Sequence, residues 1–578
     1  MRKVQTVTGG TTHTVGYTYN GAGHLIAMTY PSGAIVTYTL KANGRINRVD
    51  GMPTATATQV ALVKGAGYAP FGPLVTMTFG NDRVQSRSRD LAYGIDAINE
   101  TGAGTSGGFT ASYTRDDAGN LTGITERTLA ARAYTYDGQD RITSQTTGGT
   151  TEQAFTYDAT GNRLSRTTST GTVNYTYAAT DHRLTTLSNG HSRTYDANGN
   201  TVTRNNDVVL AYDERNRLRT TTVNGVLTRT AYYNGKGERV LRKHNPTSPT
   251  GDIQFVYDEA GHLLGEYTSA GVRLAEYVWM DDTLVAVFKS HDGTTYQLVE
   301  TDHLGTPRAI INPSTNVVVW RWDLTSGPFG DTAVQNDPDG NAVNYAFALR
   351  FPGQYAEGIA MMHYNYFRDY DSTTGRYLQS DPIGLLSGPS TYSYVRGRPL
   401  ISTDPFGLAD LVIQPVTWRY DLNPSSTFRS HPGQQIRPLP TTNGMTPVGL
   451  TTLQWIGDAH CTCADGKNHR ISRLAARVRI VVRMDGSFTN QPWLRRAEGD
   501  HVTDFLATTA ALQSELDNQE KLLAPAAFPT AAACRDAGTM VALSTLQAHY
   551  SAALSRTISN HDVAPNDHHT YGGPNQRK

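Results

Sequence analysis

Two copies of one short phrase stand two-thirds of the way along the chain: Asp381-Pro382-Ile383-Gly384-Leu385 and Asp404-Pro405-Phe406-Gly407-Leu408. Two carboxyl groups held close together cannot both ionise cheaply. One keeps its proton and the other acts as a base toward water, a division of labour that can hydrolyse a peptide bond. Arg376, in Gly375-Arg376-Tyr377, has the charge to orient or polarise such a pair. Each phrase taken singly is also a plain turn, with the aspartate capping and the glycine at positive φ.

A second set of reactive types lies in the last 170 residues, where eight of the 17 histidines and all three cysteines fall. The stretch Ala497-Glu498-Gly499-Asp500-His501 reads as H-E-x-x-H with alanine in place of the first histidine. In the intact pattern two histidines on one helix face bind zinc and the glutamate activates water. Here Glu498 would be the catalytic group. His501 would be a metal ligand, with His549 and His561 (or His568 and His569) completing the site. The plain alternative is an exposed Glu–His pair near a helix start. Cys461 and Cys463, flanked by His460 and His469, suit a metal knuckle or, more simply, a disulfide to Cys534. The terminal Asp567–Asn575 stretch carries the His and Asn types of metal-assisted phosphodiester hydrolysis. Against a nucleic-acid enzyme, 409–578 balances 16 Lys and Arg with 14 Asp and Glu.

Composition divides the chain at the same place. Of 31 tyrosines only Tyr420, Tyr550 and Tyr571 follow residue 408. Net charge is zero over 578 residues, unlike a protein that holds nucleic acid by its phosphates. Three cysteines are too few for a disulfide framework. No run approaches the roughly 18 apolar residues of a membrane helix, so no membrane segment is expected. The first residues lack an apolar core, so no signal peptide is expected.

What must position the paired aspartates is a repeat. The unit Y-[DN]-x-x-G-[NHQ]-[RL] stands at Tyr19–Leu25, Tyr157–Arg163, Tyr195–Asn200 and Tyr257–Leu263, with looser copies from Arg115, Tyr136, Tyr177, Tyr212 and Tyr233. From Arg115 the keyed positions lie 17 to 24 residues apart, the period of stacked or wound supersecondary units. Flanks such as Phe155-Thr156-Tyr157 are aromatic, β-branched and alternating, which suits strands. The Asp or Asn caps a turn and the glycine supplies its positive φ. Each unit is therefore about one β-hairpin, and successive hairpins give a long antiparallel sheet that must twist or close. A surface adhesin or carrier array would share these features.

These units resemble the YD repeats of RHS and teneurin-type proteins. The ordered run TDHLGTPRAI (301–310), WDLTSGPFGD (322–331), RFPGQY (350–355) and YNYFRDYDSTTGRYLQSDPIGL (364–385) resembles the RHS-associated core. The resemblance covers roughly residues 1–408 and implies a mainly β fold. It divides the chain into a spirally wound YD-repeat shell (1–300), a core with a self-cleavage segment (301–408) and a C-terminal toxin domain (409–578) enclosed by the hollow shell. It implies aspartyl-type autoproteolysis between Leu408 and Ala409, with Asp381 and Asp404 as the acids, and no cofactor for the shell. One departure is Arg398-Pro399, where the family usually has Asn-Pro. The implied partners are the cleaved fragment itself, a cognate immunity protein and a type VI spike or toxin-complex subunit. Such a protein is made in the cytoplasm and delivered into a target cell.

For 409–578 the sequence predicts a small α+β domain. Pro/Thr/Gly-rich extended segments come first, then a strand at 477–483 and helices near 496–523 and 539–559. Glu498 and His501 resemble, weakly, the site of gluzincin-like peptidases, which implies Zn2+ in the cargo. The competing reading is a nuclease.

Overall fold

The computed structural model describes residues 2–408 apart from 8–9, 70–72, 91–93, 103–106, 128, 180, 206, 245–250, 326 and 360. Beyond these it describes the backbone of Thr417–Asp421, Gly449–Cys463 and His469–Asp485. The chain divides into two units, Met1–Leu411 and Val412–Lys578.

The first unit is a single antiparallel ribbon. A 17-stranded sheet runs from β1 (Arg2–Thr6) to β17 (Leu184–Leu187), and a 13-stranded sheet from β18 (Arg193–Tyr195) to β30 (Val318–Arg321). Within each sheet a strand pairs with the next along the chain, from β1 with β2 (Thr12–Tyr19) to β29 (Pro307–Ile311) with β30. A bridge between Thr186 and Ser192 joins the two sheets.

The ribbon winds back on itself. Lys3 Nζ donates to the Tyr257 carbonyl and Gln5 Nε2 to that of Phe255, each at 2.8 Å. Further on, Tyr30 OH reaches the Tyr277 carbonyl at 2.9 Å. Later strands meet later partners: buried Arg83 pairs with both Glu100 and Glu300, and Arg308 with Glu126. One apolar core, including Val36, Leu62, Val278 and Phe288, fills the space between the early and late strands.

The repeat has a fixed local geometry. At each keyed residue, among them Tyr19, Tyr136, Tyr157, Tyr177, Tyr195, Tyr212, Tyr233 and Tyr257, the pairing register shifts by a bulge. The bulge turns the tyrosine toward the preceding hairpin. There its hydroxyl donates to a strand carbonyl: Tyr136 to Leu121 at 2.7 Å, Tyr157 to Ile142 at 2.8 Å and Tyr177 to Arg163 at 2.7 Å. Phenylalanine offers the same ring but no such donor. The aspartate behaves as the sequence predicts: Asp158 Oδ1 accepts the amides of Thr160 and Asn162, both at 2.9 Å, with Gly161 at φ +95°.

The residue after the glycine, or after the Asp that replaces it at Asp140, ties several turns to the following one. Asn162 Nδ2 bonds its own Asp158 and also His182 Nδ1 at 2.8 Å. Arg141 holds Asp137 and the Asp158 carbonyl at 2.6 Å, and His262 lies between Asp258 and Asp282. Tyrosine and this residue together convert independent hairpins into a wall.

The core segment adds a four-stranded sheet: β31 (Tyr355–Ala356), β32 (Met362–Asn365), β33 (Arg368–Asp371) and β34 (Arg376–Tyr377). It packs into an aromatic core with Trp320, Trp322, Tyr345, Phe351 and Tyr394. Buried ion pairs lock it to the ribbon: Arg193 and Arg204 on Asp371, and Arg229, Arg239 and Arg242 on Glu357. Burial alone would raise the Glu357 carboxyl, but the three guanidiniums hold it at about 2.

In the second unit β36 (Gly449–Cys463) and β37 (His469–Asp485) form a long antiparallel pair, and β35 (Thr417–Asp421) runs parallel to β37. The strand expected at 477–483 falls within β37. The two expected helices lie outside the described residues. No helix among the described residues is long and apolar enough to cross a membrane.

Candidate active site

The site is built from three strands of the small sheet and two loops. Asn365 ends β32 and Arg368 begins β33, facing each other in register. Tyr377 lies on β34, paired with Tyr370. The chain then turns at Asp381, whose Oδ1 accepts the Ile383 amide at 3.0 Å, and returns through 390–408 to a second turn at Asp404. Leu408 N–H donates to Asp404 Oδ1 at 2.9 Å, so the second aspartate sits on the last residue before the expected cut.

Both aspartates, buried to all but a few per cent, meet on one nitrogen. Arg368 Nη2 lies 2.8 Å from Asp381 Oδ2 and 3.1 Å from Asp404 Oδ2. The rest of the guanidinium faces backbone: Nε donates to the Gly407 carbonyl and Nη1 to that of Thr391 at 3.1 Å. Its central carbon, Cζ, lies 3.5 Å from the centre of the Tyr377 ring. The Tyr377 hydroxyl donates to Asp404 Oδ2 at 2.7 Å. Burial pushes the Asp404 carboxyl up to about 6, against the opposing pull of Arg368, Tyr377 and the Leu408 amide and with the help of Asp381. A single cation between two buried carboxyls favours one shared proton over two full charges.

The turn is held by close backbone approach. A side chain at Gly407, at φ +64°, would meet the Asn365 carbonyl at 2.3 Å. One at Gly353 in RFPGQY, at φ +82°, would meet the Pro405 carbonyl at 1.9 Å. These glycines let the Asp404–Leu408 turn seat against β32 and β33.

Arg376, expected beside the pair, is elsewhere. Its guanidinium donates to the His182 carbonyl at 2.7 Å and to Asn162 Oδ1 at 3.2 Å, and it packs against Tyr177 and Tyr392. It fastens the core to the YD turns, and the arginine that meets both aspartates is Arg368. The physical reason is register: Arg376 pairs across the sheet with Asp371, one strand beyond the Asn365–Arg368 pair. Spacing along the sequence does not reveal this. Asn365, Arg368 and Tyr377 all stand in the YNYFRDYDSTTGRY stretch, but only the strand pairing shows that they converge.

The cargo candidates Glu498, His501, His549 and His561, with Cys534, His568 and His569, lie outside the described residues. Cys461 and Cys463 end β36, of which only the backbone is described. Among the described residues no group of three or more His, Cys, Asp or Glu could hold a metal ion.

Comparison with known proteins agrees with this architecture. Residues 104–386 match the Teneurin YD-shell family. The chain is 34% identical over 108 residues to Toxin protein Tse5 of Pseudomonas aeruginosa, covering 19% of this chain and 8% of that protein. It is 28% identical over 245 residues to Double-stranded DNA deaminase toxin A of Burkholderia cenocepacia, covering 37% and 17%. These curated relatives are thus matched over less than a fifth of their own length. The crystal structure of TcdB2-TccC3-TEV superposes with a TM-score of 0.57 at 19% identity, covering 69% of this chain and 22% of that one, a likeness of fold.

Proposed function

Because this chain is an RHS/YD-repeat protein built on the teneurin type of YD shell, we propose that it is a bacterial toxin whose shell encloses residues 409–578 and frees them by cutting itself after Leu408. The observation that carries this reading is the meeting of Asp381 and Asp404 on Arg368 Nη2, with Asp404 also on the Leu408 amide. One carboxylate takes a proton from water as the water oxygen adds to the Leu408 carbonyl carbon. The other carboxyl supplies a proton to the departing Ala409 nitrogen, leaving a new carboxyl at Leu408. Arg368 keeps two buried carboxyls together and holds the Gly407 carbonyl, which fixes the peptide before the cut. The freed fragment stays in the shell until delivery through a type VI spike or a toxin-complex subunit, and an immunity protein shields the producer. The test is a denaturing gel of the purified chain beside its Asp381→Asn and Asp404→Asn variants.

For the cargo we propose a zinc-dependent peptidase centred on Glu498 and His501, with His549 and His561 as further ligands. A second reading, a cargo acting on nucleic acid, is favoured by a relative named as a double-stranded DNA deaminase toxin. The two separate when zinc is measured in the purified chain and Ala497→His is assayed on protein and on DNA. Zinc with peptide cleavage supports the first, and DNA modification without peptide cleavage supports the second.

A further inference from the structure

We propose that Tyr377, oriented by Asn365, is a positioning residue that makes Asp404 the base and leaves the shared proton on Asp381. This rests on the aspartyl self-cleavage reading and assigns roles within it. The argument starts at an amide. Asn365 Nδ2 lies 2.9 Å from the Asp404 carbonyl and 2.7 Å from the Tyr377 hydroxyl. A carbonyl only accepts, so the nitrogen end of Asn365 must face it, and the amide cannot be turned round. The Tyr377 oxygen therefore receives a hydrogen from Asn365. Its own hydrogen points at Asp404 Oδ2, 2.7 Å away. Burial, then the Asp404 charge, push the Tyr377 hydroxyl well above its ordinary range, so it remains a donor at every working pH.

Tyr377 and Arg368 donate to Oδ2 and the Leu408 amide to Oδ1. Asp381 likewise receives Arg368 on Oδ2 and a backbone amide, that of Ile383, on Oδ1, so the Tyr377 hydroxyl is the donor that Asp404 has beyond the kinds both carboxyls share, and it favours the ionised form of Asp404. The proton that two adjacent buried carboxyls share is thereby directed to Asp381. The Tyr377 ring, stacked under Arg368, is common to tyrosine and phenylalanine, so Tyr377→Phe removes the hydroxyl alone.

The experiment follows the rate of self-cutting against pH. Radiolabelled full chain from short cell-free synthesis is shifted into buffers spanning about pH 5 to 8, and the cut fraction is read on gels over time. Loss of the hydroxyl makes Asp404 easier to protonate. The acid limb of the Tyr377→Phe profile is expected to move up by roughly one pH unit, a slowing of about tenfold near pH 5 and about fivefold near pH 6 that shrinks toward pH 8. Asn365→Ala, which frees the hydroxyl to turn away, is expected to move the limb the same way and stands in should Tyr377→Phe fail to fold. An unmoved limb, or slowing by one factor at every pH, overturns the assignment of Tyr377. If Asp381→Asn and Asp404→Asn stay uncut while that occurs, only this inference is lost. Normal cutting by both of those variants defeats the aspartate reading itself.

Discussion

Asp381 and Asp404 share one hydrogen-bonding nitrogen, Nη2 of Arg368, at 2.8 and 3.1 Å. The whole Pro382–Thr403 segment lies between them in the chain, and it is the small sheet that brings them together. The same contact separates two arginines that the sequence does not distinguish.

Arg368→Gln is expected to stop self-cutting, because it leaves two buried carboxyls without their common cation. Arg376→Gln is expected to cut normally while losing stability by about 1–3 kcal/mol, since it takes a donor from the His182 carbonyl and leaves Asn162 Oδ1 with Ser390 Oγ alone. Gels read the first outcome and urea unfolding the second. Equal loss of cutting in both variants would restore Arg376 to the site.

Gly353→Ala is expected to stop cutting although the shell still folds. Its methyl group would meet the Pro405 carbonyl at 1.9 Å and push away the turn that presents Leu408. Limited proteolysis checks that the shell is intact, and a gel checks the cut.

Tyr157→Phe is expected to cost roughly 1 kcal/mol, because the Ile142 carbonyl loses a 2.8 Å donor without loss of ring packing. Tyr136→Phe and Tyr177→Phe should cost similar amounts, and the three should be close to additive if each tie joins only its own pair of hairpins. A neutral result in all three would make the ring the sole purpose of the tyrosine.

Stability should fall as pH rises from about 4 to about 7. Burial raises the Asp404 carboxyl to about 6 and the Asp369 carboxyl to about 7. A carboxyl raised on folding contributes stability that is complete below its unfolded value near 4 and is lost as pH climbs through the folded one. Asp369→Asn, which can still accept from Gln379 Nε2, is expected to flatten the upper part of that fall. Glu357, held at about 2, acts in the opposite sense, and its contribution is lost only as pH falls through that value. Unfolding midpoints across this range check both signs.

The hairpins, their capping aspartates and the glycines at positive φ were legible in the sequence because turn chemistry is local. The two Asp-Pro turns were legible too, as matching phrases. What the sequence did not disclose depends on pairing between strands. The Tyr157 hydroxyl reaches the previous hairpin only because a bulge turns it, and Asn162 reaches His182 only because the next turn stands beside it. The choice of Arg368 over Arg376 follows from the Asn365–Arg368 register, and two arginines in one motif look alike until that register is known.

The account is tested most directly by the denaturing gel of the purified chain. It predicts two fragments meeting at Leu408/Ala409, and one uncut band in Asp381→Asn and in Asp404→Asn. Normal cutting in both variants, or a parent chain that stays whole, would contradict it.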